Sequence, residues 1–213
     1  MRHLKLAALL SGGGTTLQNF LDRIAAGELD AEVVAVGSSR KDAYGLERAR
    51  KHGVPTFVVP SKQYRGQSDA FSDAVFEELG RYELDLVLLC GFMCLVHIPE
   101  RLIGRVMNIH PALIPAFCGK GYYGHFVHEA VLEYGAKVSG CTVHFVDNHY
   151  DHGPVIVQKT VPVLDGDTPD ELAARVFETE CVAYPEAVRL YGEGRLLVEG
   201  RRVRTLAEGD GAT

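Results

Sequence analysis

Leu4-Lys5-Leu6-Ala7-Ala8-Leu9-Leu10-Ser11-Gly12-Gly13-Gly14-Thr15-Thr16-Leu17 reads as a strand, a glycine turn and the start of a helix. Leu4 to Leu10 is almost wholly apolar, as a strand buried on both faces would be. Thr15 opens a helix to about Ala26, with Leu17, Phe20, Leu21 and Ile24 at helical spacing. The alternation recurs. Ala31 to Gly37 reads as a strand, and Asp42 to Gly53 as a helix closed by its glycine. Pro55 to Val59 is a third strand, and Ser61 to Gln67 a polar stretch. Ser68 to about Tyr82 is a helix and Leu84 to Cys90 a continuous apolar strand. Strand and helix alternating four times predict a doubly wound, Rossmann-like α/β fold with a mostly parallel sheet.

From about Pro99 the pattern changes. A short helix leads to the strand Val106 to Ile109, then to an irregular segment, Pro111 to Tyr123, and a helix from about Gly124 to Tyr134. Lys137 to Asp147 and Pro154 to Pro162 alternate β-branched and polar residues, which predicts an antiparallel C-terminal extension of the sheet. Pro169 to about Tyr191 is a final helix, with Thr168 as its N-cap and Asp170 and Glu171 in the first turn. Leu196 to Val203 reads as a hairpin turning at Gly200, and Ala207 to Thr213 as a frayed tail.

Composition narrows the function. The 213 residues are 46% hydrophobic and 23% charged, ordinary values for a globular chain. A net charge of −6 argues against nucleic-acid or acidic-membrane partners. An anionic ligand would then need local donors, such as a helix N-terminus. The five cysteines, Cys90, Cys94, Cys118, Cys141 and Cys181, form no CxxC pair, so neither a disulfide framework nor a zinc ribbon is indicated. A reduced, cytoplasmic setting fits. Lys5 leaves too short an apolar run before the glycines for a signal peptide, and no run reaches membrane-spanning length.

The glycine turn sits where open α/β sheets bind ligands. Its backbone N–H groups and the helix dipole suit a phosphate, and Thr15 and Thr16 add hydroxyls. No Lys follows Gly14, so this is not a Walker A loop. Leu17 stands where a dinucleotide fingerprint needs a third glycine, and a monophosphate is the better reading. A side chain at Gly14 is expected to block the phosphate's approach.

Met107-Asn108-Ile109-His110-Pro111-Ala112-Leu113-Ile114-Pro115 carries the chemistry. Side chains alternate along a strand, so Asn108 and His110 share a face, and Pro111 ends the ladder. An amide can bind a developing oxyanion while an imidazole manages protons. Asp151, in the polar loop Asp147-Asn148-His149-Tyr150-Asp151-His152-Gly153-Pro154, is a candidate partner, since a carboxylate favours and orients a charged imidazole. His125, His128, His144, His149 and His152 match no zinc spacing, so no metal is expected. Phe92 and Met93 of Gly91-Phe92-Met93-Cys94 follow the fourth strand, where they either line a pocket for a flat ring or belong to the core.

Taken in order, Ser11 to Leu17, Gly91-Phe92-Met93, Asn108 to Pro115, Gly140-Cys141-Thr142-Val143-His144-Phe145-Val146 and Asp151-His152-Gly153-Pro154-Val155-Ile156 resemble the phosphoribosylglycinamide formyltransferase family. The N-x-H-P-x-L-x-P element with a later D-x-G is characteristic of the wider 10-formyltetrahydrofolate superfamily. The likeness runs from about Leu4 to about Leu197. It implies formyl transfer from 10-formyltetrahydrofolate, as co-substrate, to the amine of glycinamide ribonucleotide. Asn108, His110 and Asp151 would be catalytic. Gly14, Thr15, Thr16, Pro111 and Glu180 would bind the ribonucleotide, Pro111 through its carbonyl and Glu180 at the ribose. Met93, Cys94, Leu95, Val96, Asn108, Val146, Asp147, Asn148, His149, Tyr150 and Asp151 would bind the folate. The family often has Arg where Cys94 and Ser68 stand, which touches its contacts to the folate glutamate tail. Residues 117–126 are given no ligand contacts.

The implied organisation is one formyltransferase domain over 1–213: a nucleotide- and phosphate-binding half at about 1–98, a folate-binding catalytic half at about 99–197, and a terminal hairpin and tail at 198–213. Small-molecule substrates are expected, with neither nucleic acid nor membrane, and homodimer formation is left open. A formyltetrahydrofolate deformylase and a non-catalytic nucleotide-binding module are the alternatives. A methionyl-tRNA formyltransferase is disfavoured by the acidic charge.

Overall fold

The computed structural model describes residues 2–208. The expected tail therefore falls mostly outside the described residues. The strands are β1 (Leu4–Leu10), β2 (Ala31–Ser38), β3 (Thr56–Val58), β4 (Leu86–Leu89), β5 (Val106–His110), β6 (Val138–Phe145), β7 (Val155–Pro162), β8 (Leu196–Glu199) and β9 (Arg202–Thr205). The α-helices are α1 (Thr15–Ala25), α2 (Tyr44–Lys51), α3 (Ser68–Leu79), α4 (His125–Tyr134) and α5 (Pro169–Gly192). The hydrogen-bonded strand order is β3-β2-β1-β4-β5-β6-β7-β9-β8. Pairings β1–β2, β1–β4 and β2–β3 are parallel, while β6–β7 and β8–β9 are antiparallel. The mostly parallel α/β sheet with antiparallel C-terminal strands follows the sequence pattern.

The chain packs as two compact units. One comprises the chain up to Met107 together with Val146–Asn148; the other comprises Asn108–Phe145 and the chain from His149 onward. In the first, alternate residues of β1 and β4 (Ala7, Leu9, Val87, Leu89) pack with Phe71, Val75, Phe76 and Leu79 of α3. Burial of side chains of this size contributes roughly 1.5–3 kcal/mol each. In the second, Leu172, Val176, Ala183, Tyr184 and Val188 of α5 are fully buried, as are Cys141 and Val143 of β6. Thr168 caps α5 through a reciprocal box: Glu171 N–H donates to its hydroxyl, and the Glu171 carboxylate accepts from the Thr168 N–H.

Several elements are shorter than their apolar patterns. The helix expected from Asp42 begins at Tyr44, because Ala43 is extended and the Asp42 carboxylate pairs with Arg40 instead. The strand expected over 84–90 is Leu86–Leu89, and the helix near Pro99 is a single 3-10 turn, Glu100–Leu102. The α3 pattern extended to Tyr82, but the helix stops at Leu79 with Gly80 as its C-cap.

Candidate active site

Strand β5 puts Asn108 and His110 on one face, and both reach Asp151. The Asn108 Nδ2 lies 3.4 Å from Asp151 Oδ1. The His110 Nδ1 lies 3.6 Å from Oδ2, an ion-pair distance beyond hydrogen-bond reach. The side chains of His110 and Asp151 are only 4% and 13% exposed, so their electrostatics are weakly screened. Asp151 itself sits in the left-handed region at φ 48°, which Asp tolerates better than most residues. Its Oδ2 also accepts from the Gly119 N–H at 2.8 Å.

The remaining partners fix protons and rotamers. His110 Nε2–H donates to the Phe117 carbonyl at 2.8 Å, which leaves Nδ1 toward Asp151. His144 Nδ1–H donates to the Phe145 carbonyl at 2.8 Å. Its Nε2 then accepts from Asn108 Nδ2 at 3.1 Å and fixes the amide's orientation. Past His110, the Thr142 hydroxyl donates to Ala112 O at 2.7 Å and accepts from Ile114 N–H and Gln158 Nε2, so the turn at half-buried Pro111 is anchored to β6 and β7. Phe117, Gly119 and His144 therefore belong to this constellation, and the sequence reading gave them no role. His144 had one readable signal: with Thr142 it forms a polar pair at period two, flanked by Cys141, Val143 and Phe145. Phe117 and Gly119 contribute only backbone atoms, which side-chain patterns do not report.

Two further titratable groups stand in the same unit. Glu180 of α5 is half-buried, and no hydrogen bond or ion pair to its carboxylate is found among the described residues. Burial pushes its pKa up to about 8, so near neutrality it carries a proton and can donate a hydrogen bond. His128 of α4 is buried, and its Nδ1 has no hydrogen-bond partner. Burial, then the charges of His125 and His110, pull its pKa down to about 4, which keeps it neutral. His149 and Tyr150 are exposed, and the His149 ring lies 5.3 Å from that of His152.

In the other unit the glycine loop closes β1 onto α1. Gly14 is the N-cap of α1 in the left-handed conformation (φ 73°, ψ 30°). A Cβ there would stand 2.6 Å from the Gly45 Cα, whereas at Gly12 and Gly13 it would meet nothing within 4 Å. The close approach of α2 and the positive φ are thus by themselves enough to require glycine at position 14. Thr15 is exposed and Thr16 half-buried. After β4, Met93 N–H donates to the Ser11 hydroxyl at 2.9 Å with its side chain 52% exposed, while Cys94 and Leu95 are half-buried and Val96 is core. Phe92 stacks on Phe71 at 6.1 Å. The Val146 N–H donates to Val106 O, Asn148 Oδ1 accepts from Ile98 N–H, and Asp147 is half-buried.

An Asn–His pair on a central strand facing an Asp, in a doubly wound α/β chain with a glycine loop after its first strand, is an arrangement suited to group transfer. The chain belongs to the formyl transferase family, whose model matches residues 4–188. It is similar to the chloroplastic phosphoribosylglycinamide formyltransferase of Arabidopsis thaliana, with 42% identity over 92% of this chain and 68% of that protein. The phosphoribosylglycinamide formyltransferase of Escherichia coli is 36% identical over 91% of this chain and 89% of its own length. Among solved structures, glycinamide ribonucleotide transformylase 1 from Symbiobacterium toebii superposes with a TM-score of 0.87 at 46% identity, covering 96% of this chain and 94% of that one.

Proposed function

We propose that this enzyme transfers the formyl group of 10-formyltetrahydrofolate to the amine of glycinamide ribonucleotide, giving the N-formyl ribonucleotide and tetrahydrofolate, a step of purine synthesis. The observation that carries the reading is the Asp151 carboxylate set against both Asn108 and His110. The amine nitrogen attacks the formyl carbon, and the carbonyl electrons move onto oxygen. An Asn108 N–H and the His110 imidazolium stabilise that oxyanion. The 3.4 Å contact from Asn108 to Asp151 is the weaker of the amide's two, and it is the one an oxyanion displaces. Asp151, through water, takes the proton from the attacking amine. Collapse of the intermediate breaks the bond to the folate nitrogen, which accepts that proton.

The ribonucleotide phosphate is assigned to Gly14, Thr15 and Thr16, its amine to the Pro111 carbonyl and its ribose to Glu180. The pterin is assigned to Met93–Val96 and 146–151. The mechanism calls for no metal; His149 and His152 are where an ion would be sought. The net charge of −6 supports small-molecule substrates over nucleic acid. Among the described residues no helix is long and apolar enough to cross a membrane. We place the enzyme in the cytoplasm because its cysteines form no disulfide among the described residues.

The test follows tetrahydrofolate release with and without glycinamide ribonucleotide. Release that requires the ribonucleotide, with formylated product in equal amount, is expected. Equal release without it would make water the acceptor and the chain a deformylase.

A further inference from the structure

Two consecutive carbonyls of the glycine loop are tied to α2. Gly12 O accepts from the Gly45 N–H at 3.0 Å, and Gly13 O accepts from Arg48 Nε–H at 2.9 Å. A trans peptide is planar, so its N–H points opposite to its C=O. Holding these two carbonyls toward α2 turns the N–H groups of Gly13 and Gly14 away from it. Gly14 O accepts from Gln18 N–H at 2.9 Å, the first bond of α1, so the Thr15 N–H points out of that helix's N-terminal end. Successive N–H groups arranged in this way suit an anion.

Arg48 is itself held firmly. Its Nη1 donates to Gln18 Oε1 at 3.1 Å, and its guanidinium lies 5.1 Å from the Tyr44 ring centre. Among the described residues no carboxylate pairs with it, so its charge adds to the positive end of α1. We propose that Arg48 is a positioning residue for the ribonucleotide phosphate: it fixes the Gly13–Gly14 peptide so that the loop presents its N–H groups before ligand arrives. This rests on the reading of the glycine loop as the phosphate site.

The experiment compares Arg48→Met, which keeps the stem but loses donors and charge, with Arg48→Lys, which keeps the charge. KM and kcat are measured with glycinamide ribonucleotide at saturating folate, and dissociation constants for the ribonucleotide and its dephosphorylated riboside. Arg48→Met is expected to raise KM and the ribonucleotide Kd roughly tenfold, the effect of one hydrogen bond of this kind. Arg48→Lys should raise both less, kcat should stay within about twofold of wild type, and riboside binding should not change. An unchanged ribonucleotide Kd, or an equal loss for the riboside, would overturn the proposal. Should the Met variant fail to fold, the Lys variant carries the comparison. Gly13→Asp separates the two layers, because it puts a carboxylate into open space beside the loop. If that change leaves ribonucleotide affinity intact, the phosphate assignment fails. If it abolishes binding while Arg48→Met does not, only the role of Arg48 fails.

Discussion

The Asp151 backbone lies at φ 48°, a conformation that Asn tolerates as well as Asp, so Asp151→Asn changes charge and hydrogen bonding without straining the chain. Both carboxylate oxygens face donors, the Gly119 N–H and the Asn108 amide. An asparagine has one acceptor oxygen, so its own NH2 must face one of them. Turnover is expected to fall by about 10²–10⁴ with both substrates still bound. Steady-state kinetics with direct binding measurements check this, and retained turnover would reduce Asp151 to a loop cap. For His110→Ala and Asn108→Ala the expected loss is about 10²–10³ in kcat with KM little changed, the typical effect of one oxyanion donor. A KM effect alone would place these residues in substrate binding. Sequence alone paired Asn108 with His110, because period two along a strand is a local rule. It could not set Phe117, Gly119 or His144 beside them, since those contacts depend on how a loop and a neighbouring strand return to β5.

Along α5 the capping box and the placement of Glu180 pull in different directions. Thr168→Ala should cost about 1 kcal/mol of stability, the usual cost of losing such a cap, read as a lowered unfolding midpoint in denaturant. Glu180 titrates at about 8 in the folded chain and near the ordinary glutamate value once unfolded. The folded state therefore binds more protons between those values, and stability falls as pH rises through that window. Glu180→Gln should be the more stable chain at pH 8 and match wild type near pH 4. Thermal melts across that range give the answer, and parallel curves for the two chains would refute the assignment. The amphipathic pattern and the Thr168-x-x-Glu171 signature made this helix readable in advance. The state of Glu180 was not readable, because burial of a carboxyl depends on what packs around it.

For the molecule as a whole, dialysis against a strong chelator is expected to leave turnover unchanged despite nine histidines, since no step in the proposed transfer needs a Lewis acid. Turnover that is lost on dialysis and restored by a divalent ion would overturn this. The succession of strands and helices was set by the sequence itself, through apolar runs, helical spacing and glycine or proline punctuation, all of which act over a few residues. So were the glycine loop and the Asn108–His110 pair. Element ends were less legible: Asp42 looks like part of a helix until its pairing with Arg40 is seen. Only the tertiary structure showed that Gly45 of α2 comes too close for any side chain at Gly14. It alone brought Asp151 to β5, joined Gly119 and His144 to the pair, and set Arg48 on the Gly13 carbonyl. Those contacts link residues up to 43 positions apart, and at such separations it is the packing of elements, and not local pattern, that selects which groups meet.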